Sequence, residues 1–160
     1  RAYAELVPGL WVGRRLNRRE ARELLSQGPT REIRAVLDLT AEYAEVEEFR
    51  QLGYLNIPIL DLTAPSLNQL RQAVAFLQHN PGCYVHCSLG RGRVAVVALA
   101  FLLARGDSLE EAMQKVSAAC PDYRLAPASL RVLEEFVAGL GTASHEEELA
   151  GVRIDTPSGG

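Results

Sequence analysis

Cys83-Tyr84-Val85-His86-Cys87-Ser88-Leu89-Gly90-Arg91-Gly92-Arg93-Val94 is the stretch that decides the fold. Four residues of β-forming character run into a short glycine-bearing loop, and an apolar helix opens on its far side at Val94. Backbone N–H groups in such a loop converge on one point, and the helix N-terminus adds positive potential there. The result is a cradle sized for a phosphate. Cys87 stands at its mouth, where the field that holds an anion also stabilises a thiolate. Arg93, six positions on, carries a planar fork that matches two phosphate oxygens. Gly90 and Gly92 let the backbone turn and approach a ligand closely.

Outward from this loop, strands and helices alternate. Leu10-Trp11-Val12 reads as a short strand, and Asn17 caps a helix that runs to Gln27 before Gly28-Pro29. Ile33 to Leu39 is a buried strand, Glu45 to Leu52 a short helix, and Tyr54 to Leu60 a further strand. Pro58 sends that last strand to a sheet edge. Ser66-Leu67-Asn68-Gln69 and Ser108-Leu109-Glu110-Glu111 are capping boxes that open two helices. Pro127 suits the first turn of a final helix reaching Leu140. The pattern predicts an α/β domain over residues 1–140: a central, mostly parallel sheet flanked by helices on both faces. Residues 141–160 are expected to be a disordered tail or linker stub. In such sheets ligands bind at the carboxyl ends of strands, where the loop at 87–93 lies.

Composition narrows the functional classes. The chain has 160 residues, 48% hydrophobic and 23% charged, which is globular rather than disordered or fibrous. A formal charge of −3 is no footprint of a nucleic-acid binder. Lys115 is the only lysine, so arginine supplies nearly all the positive charge. Three cysteines, Cys83, Cys87 and Cys120, are too few for a disulfide scaffold, which points to a reducing, cytoplasmic setting. Cys83 and Cys87 lie ~13 Å apart along an extended strand, too far for a disulfide. The longest apolar run, Val94 to Ala104, is too short to cross a bilayer. The sequence opens Arg1-Ala2-Tyr3, without an initiator Met or a signal-peptide pattern, and so reads as a processed chain or part of a longer protein. Membrane association through a preceding part is compatible with that reading.

His86-Cys87, five residues, then Arg93 after a strand resembles the signature loop of the cysteine-based protein tyrosine and dual-specificity phosphatases. Leu60-Asp61-Leu62-Thr63-Ala64-Pro65, the Ser66 helix, and Tyr123-Arg124-Leu125-Ala126-Pro127 before the last helix look like the compact dual-specificity group. Within it the likeness is greatest to the branch of the mitochondrial-type phosphatidylglycerophosphate phosphatases. The resemblance spans residues 8 to 140 and implies a protein-tyrosine-phosphatase-like fold and phosphomonoester hydrolysis. It implies that Cys87 attacks phosphorus and that Arg93, with the N–H groups of Ser88, Leu89, Gly90, Arg91 and Gly92, holds the phosphoryl oxygens. Asp61 matches the general acid and base, and His86 the residue that braces the loop. Neither a metal nor another cofactor is required. The expected partner is a phosphorylated lipid, inositol phosphate or protein, with no nucleic acid, and with peripheral membrane contact or fusion to a membrane domain open.

One position departs from the family. Val94 follows the arginine where a serine or threonine is usual, and that hydroxyl helps the sulfur leave when the intermediate is hydrolysed. Loss of one charge-assisted hydrogen bond, about 1.5–3 kcal/mol, would slow breakdown roughly 10- to 150-fold. Two other readings compete with a phosphatase. A pseudophosphatase that binds phosphate without turnover rests on Val94 alone, and a sulfurtransferase is disfavoured by the five-residue spacing between Cys87 and Arg93. Outside the loop, Asp38-Leu39-Thr40 is expected to be structural or at the pocket rim, and Arg91 to sit on the cradle rim. The Arg14-Arg15 and Arg18-Arg19 pairs read as a solvated face or, beside a membrane, as lipid contacts.

Overall fold

The computed structural model describes residues 2–28 and 32–152, with side chains as far as Leu140. Five strands form one sheet: β1 (Tyr3–Val7), β2 (Leu10–Arg14), β3 (Ala35–Thr40), β4 (Gly53–Ile59) and β5 (Cys83–Cys87). Their spatial order is β1-β2-β5-β3-β4, with β1 antiparallel to β2 and every other pair parallel. The sheet is therefore mostly parallel, as the alternation of strands and helices predicts. β3 and β5, mostly apolar but carrying Asp38 and His86, are buried along their whole length in the middle of the sheet. β4, which carries Pro58, is an edge strand, where a missing N–H costs no ladder bond.

Side-chain alternation splits the core in two. Cys83, Val85 and Cys87 of β5 face a large cluster built with α3 (Leu67–His79), α4 (Arg93–Ala104), α5 (Leu109–Ala119) and α6 (Ser129–Val152). Tyr84 faces the other way, with Phe49, Leu16 and Leu24, beneath α1 (Arg18–Ser26) and α2 (Glu47–Arg50). Helices thus cover both faces. α4 is apolar nearly all round because it lies between the sheet and three other helices. Asn17, Ser66 and Ser108 each form a complete capping box, with Glu20, Gln69 and Glu111 returning the second bond. Among the described residues no helix is long and apolar enough to cross a membrane.

Two elements differ from the sequence reading. Tyr3–Val7 forms a hairpin with β2 through Pro8-Gly9, where Gly9 takes φ +84°. That dipeptide is a turn signal in which proline presets one angle and glycine supplies the positive one. The last helix begins at Ser129 rather than around Pro127, because Ala128 sits at φ +71° and breaks the helical path. Its backbone then continues to Val152, past the expected end at Leu140 and through part of the expected tail, while residues 153–160 lie outside the described residues.

Candidate active site

Because β2, β5, β3 and β4 are parallel, their carboxyl ends lie on one edge of the sheet, and the loops that leave them converge. Cys87 ends β5, is almost wholly buried, and faces the large core cluster. His86, one residue earlier, faces the opposite side. Its Nε2 bonds the Glu45 carboxylate, its Nδ1 lies 3.3 Å from the Cys87 carbonyl oxygen, and its ring stacks on Tyr84. Alternation thus places one residue of the pair at the mouth and the other beneath it as a brace.

The loop is closed against its neighbours at both ends. The Arg15 N–H donates to the Ser88 carbonyl at 3.0 Å, and the Arg124 N–H to the Arg91 carbonyl at 3.3 Å. Gly90 takes φ +73° and packs directly on the backbone of β2 at Gly13. Gly92 caps α4, so Arg93 occupies its first turn and reaches back across the mouth.

The Arg93 guanidinium is buried and aimed by partners from the loop after β3 and the end of β4. Nη1 and Nη2 donate to the two Glu42 oxygens at 2.7 and 2.8 Å, and Nη1 also donates to the Ile59 carbonyl at 2.9 Å. Its Nε is buried without a hydrogen-bond partner among the described residues. Glu42 therefore occupies the Nη1–Nη2 edge of the fork, and on the other edge Nη2 meets Asp61 at 3.5 Å while Nε keeps no partner among the described residues. An unpaired buried donor costs about 1–3 kcal/mol, which a bound oxyanion would recover. Burial works against the Arg93 charge, but the Glu42 hydrogen bonds and the neighbouring Cys87 and Asp61 outweigh it and raise its pKa.

In the reverse direction, the Arg93 hydrogen bonds hold the Glu42 carboxyl down to about 2. A carboxyl depressed from about 4.3 in the unfolded chain stabilises the fold above that pH. Its contribution is lost as pH falls through about 2. Glu42→Gln is therefore expected to flatten the loss of stability between about pH 5 and pH 2. Urea midpoints across that range check it; a slope equal to that of the parent chain would remove Glu42 from the account.

A cavity of about 400 Å³ opens over the loop, and Asp61, Cys87, Leu89, Arg91, Gly92 and Arg93 all line it. Asp61 is well exposed at the mouth, its Oδ1 lying 3.5 Å from Arg93 Nη2 and accepting from the Leu62 N–H. Leu62, Thr63, Arg124, Leu125, Ala126 and Pro127 complete the wall. Ser88 and Gly90 do not line this cavity but shape the loop from behind. Val94 lies fully buried in the large core cluster. Asp38 is buried and accepts from the Thr40 N–H, the Thr40 hydroxyl and the Tyr54 hydroxyl. It is a structural residue rather than one of the rim. Burial pushes the Cys83 thiol up to about 12, so it offers no thiolate beneath the loop.

Sequence reading passed over three residues here: Glu42, Glu45 and Arg124. The first two sit in Glu42-Tyr43-Ala44-Glu45, just past the carboxyl end of β3, and that position was their available signal. Asp38, Glu45 and His86 bring three ligand-type atoms within 4.8 Å of one another. Their oxygens and nitrogens already bond Thr40, Tyr54, Val46 and each other, so they form a buried polar brace.

A family model described as "Polymorphic toxin system, DSP-PTPase phosphatase" matches residues 13–107. The phosphatidylglycerophosphate phosphatase PTPMT2 of Arabidopsis thaliana is 35% identical over 92 residues, 54% of this chain and 40% of that protein. The human phosphatidylglycerophosphatase and protein-tyrosine phosphatase 1 is 29% identical over 148 residues, 84% of this chain and 72% of its own length. The chain thus spans well under half of the Arabidopsis relative and nearly three quarters of the human one. Among solved structures, PTPMT1 in complex with PI(5)P superimposes with a TM-score of 0.76 at 22% identity, covering 90% of this chain and 99% of that one. This is a likeness of fold. Tk-PTP in its active form gives 0.74 at 26% identity, covering 86% and 97%. A strand-loop-helix cradle with Cys87 and Arg93, set in this sheet order and matched across more than half its length, places the chain in the dual-specificity, cysteine-based protein tyrosine phosphatase (DSP-PTPase) family of enzymes.

Proposed function

We propose that this phosphatase hydrolyses phosphomonoesters of phospholipids or phosphoinositides through a cysteinyl-phosphate. The observation that carries the reading is the Arg93 fork, braced on one edge by Glu42 and unpartnered at Nε, in the cavity that Cys87 also lines. Cys87 Sγ attacks phosphorus as the bond to the leaving oxygen breaks, and Asp61 gives that oxygen its proton. Asp61 then takes a proton from water, whose oxygen attacks phosphorus. The P–S bond breaks, the Cys87 thiolate returns and inorganic phosphate leaves. Arg93 and the loop N–H groups hold the equatorial oxygens in both steps.

The lipid class is favoured because both relatives' names give phosphatidylglycerophosphate as a substrate, the human one beside protein-tyrosine phosphatase. Arg91 and Arg124 at the mouth suit an anionic headgroup. Rapid-quench mixing with para-nitrophenyl phosphate tests the chemistry, with Cys87→Ser as control. We expect a stoichiometric burst followed by slow release, absent from the control. Val94→Thr is expected to raise the slow phase roughly 10- to 150-fold, the worth of one charge-assisted hydrogen bond to the leaving sulfur. No burst in a chain that still binds phosphate would favour a pseudophosphatase, the reading to which Val94 lends support. Rates on phosphatidylglycerophosphate, phosphoinositide and phosphotyrosine peptide then decide the substrate class; a peptide preference would overturn the lipid reading.

A further inference from the structure

The three most exposed large apolar side chains among the described residues are Leu62, Leu60 and Leu89, at 82%, 68% and 65%. They are not scattered. Leu60 and Leu62 flank Asp61, Leu89 lies in the phosphate loop, and Leu62 and Leu89 line the cavity over Cys87. Leu62 is moreover held at φ +64°, a conformation unfavourable to any residue with a β-carbon. A strained backbone that presents a branched apolar side chain to water serves neither the core nor solubility.

The arginines divide in the same way. Arg14, Arg18, Arg19 and Arg22 are each paired with a glutamate: Glu20, Glu48, Glu23 and Glu48. Arg15 stacks on the Tyr43 ring and donates to the Ala44 carbonyl. The face that the sequence offered for lipid contact is therefore largely neutralised by its own carboxylates. Arg91 and Arg124 are exposed and line the same cavity as the leucines. Among the described residues neither guanidinium has an ion pair or hydrogen bond. In a chain of net charge −3 this leaves two unpaired cations at the mouth, beside the exposed Asp61 carboxylate and the leucines.

We propose that Leu60, Leu62 and Leu89 insert into an anionic lipid bilayer, with Arg91 and Arg124 held at headgroup level. Apolar side chains on one rim bury below the phosphates, and cations beside them meet the negative surface. All five residues lie on loops at or beside the carboxyl edge of the sheet, so docking turns the cavity toward the membrane. Cys87, buried at its floor, then meets headgroup phosphate without the lipid leaving the bilayer. The inference rests on the phospholipid reading of the site, and its test is separable from that reading.

Vesicles of phosphatidylcholine with phosphatidylglycerol carry negative charge but no phosphomonoester, so sedimentation with them reports docking rather than capture in the active site. The whole chain is expected to sediment with these vesicles and far less with phosphatidylcholine alone. Leu60→Ser/Leu62→Ser is expected to weaken the partitioning about tenfold or more. Arg124→Ala is expected to weaken it at low salt and to flatten its dependence on salt. Absence of parent binding, or equal binding by the serine variant, would overturn the proposal, as would equal binding to neutral vesicles. Hydrolysis of para-nitrophenyl phosphate without vesicles is followed in parallel. Failure there with vesicle binding intact would remove the catalytic reading and leave the docking surface standing.

Discussion

Arg93→Lys is expected to lower kcat/KM for para-nitrophenyl phosphate by roughly 10²- to 10⁴-fold while leaving the chain folded. The guanidinium meets both Glu42 oxygens and the Ile59 carbonyl, and still presents an unoccupied Nε. A lysine ammonium is a point charge on a flexible stem and cannot serve two edges at once. Two charge-assisted hydrogen bonds to the transition-state oxygens would be lost, at about 1.5–3 kcal/mol each. Their sum corresponds to roughly 10² to 10⁴ in rate. Steady-state kinetics beside phosphate binding by calorimetry check this. A lysine variant within tenfold of the parent would show that the loop N–H groups carry the oxyanion alone.

Gly90→Ala should damage both stability and rate, for a different reason. A β-carbon at this position would lie 2.7 Å from the Gly13 carbonyl carbon, 2.8 Å from its oxygen and 2.9 Å from the Arg14 nitrogen. All three are backbone atoms of β2, so no side chain can swing aside. The residue also sits at φ +73°, which adds about 1–2 kcal/mol for any L side chain. Relief requires the loop to lift from β2, against the bond from the Arg15 N–H to the Ser88 carbonyl. Overpacking of this kind costs about 1–3 kcal/mol, and a displacement of about 1 Å in a catalytic loop costs about 10² in rate. A lowered urea midpoint together with a hundredfold fall in kcat/KM is the expected pair of results. A variant with unchanged stability and rate would mean that the loop tolerates separation from the strand.

The site itself was legible in uneven portions. Cys87, Arg93 and the glycines between them are close in sequence, and a strand-loop-helix with that spacing has one way to fold around an anion. Asp61 was legible as a polar residue leaving a strand end, and the structure brings it to the mouth of the same cavity. Glu42 and Glu45 were not legible, although the first aims Arg93 and the second holds His86. Each lies more than forty residues from its partner, and a place just past the end of β3 marks a glutamate as near the site without saying which side chain it meets. The same limit applied to the arginines. Sequence showed doubled pairs at 14–15 and 18–19, but whether a guanidinium is free depends on which carboxylates the fold brings beside it.

Local chemistry alone determined the helix starts at Asn17, Ser66 and Ser108, the edge position of the strand with Pro58, and the strand-loop-helix turn at 87–93. Each follows from interactions within a few residues: a cap closing on its own first turn, a ring lacking an N–H, a glycine-bearing loop between strand and helix. Tertiary structure decided which face of β5 each residue of the His86-Cys87 pair would meet, and which glutamates would saturate the arginines. It also decided that Leu62 and Leu89, distant in sequence, would line one mouth, with Leu60 exposed beside it. The parallel strands bring loops distant in sequence to one edge, and burial then determines which charges keep a partner and which face water.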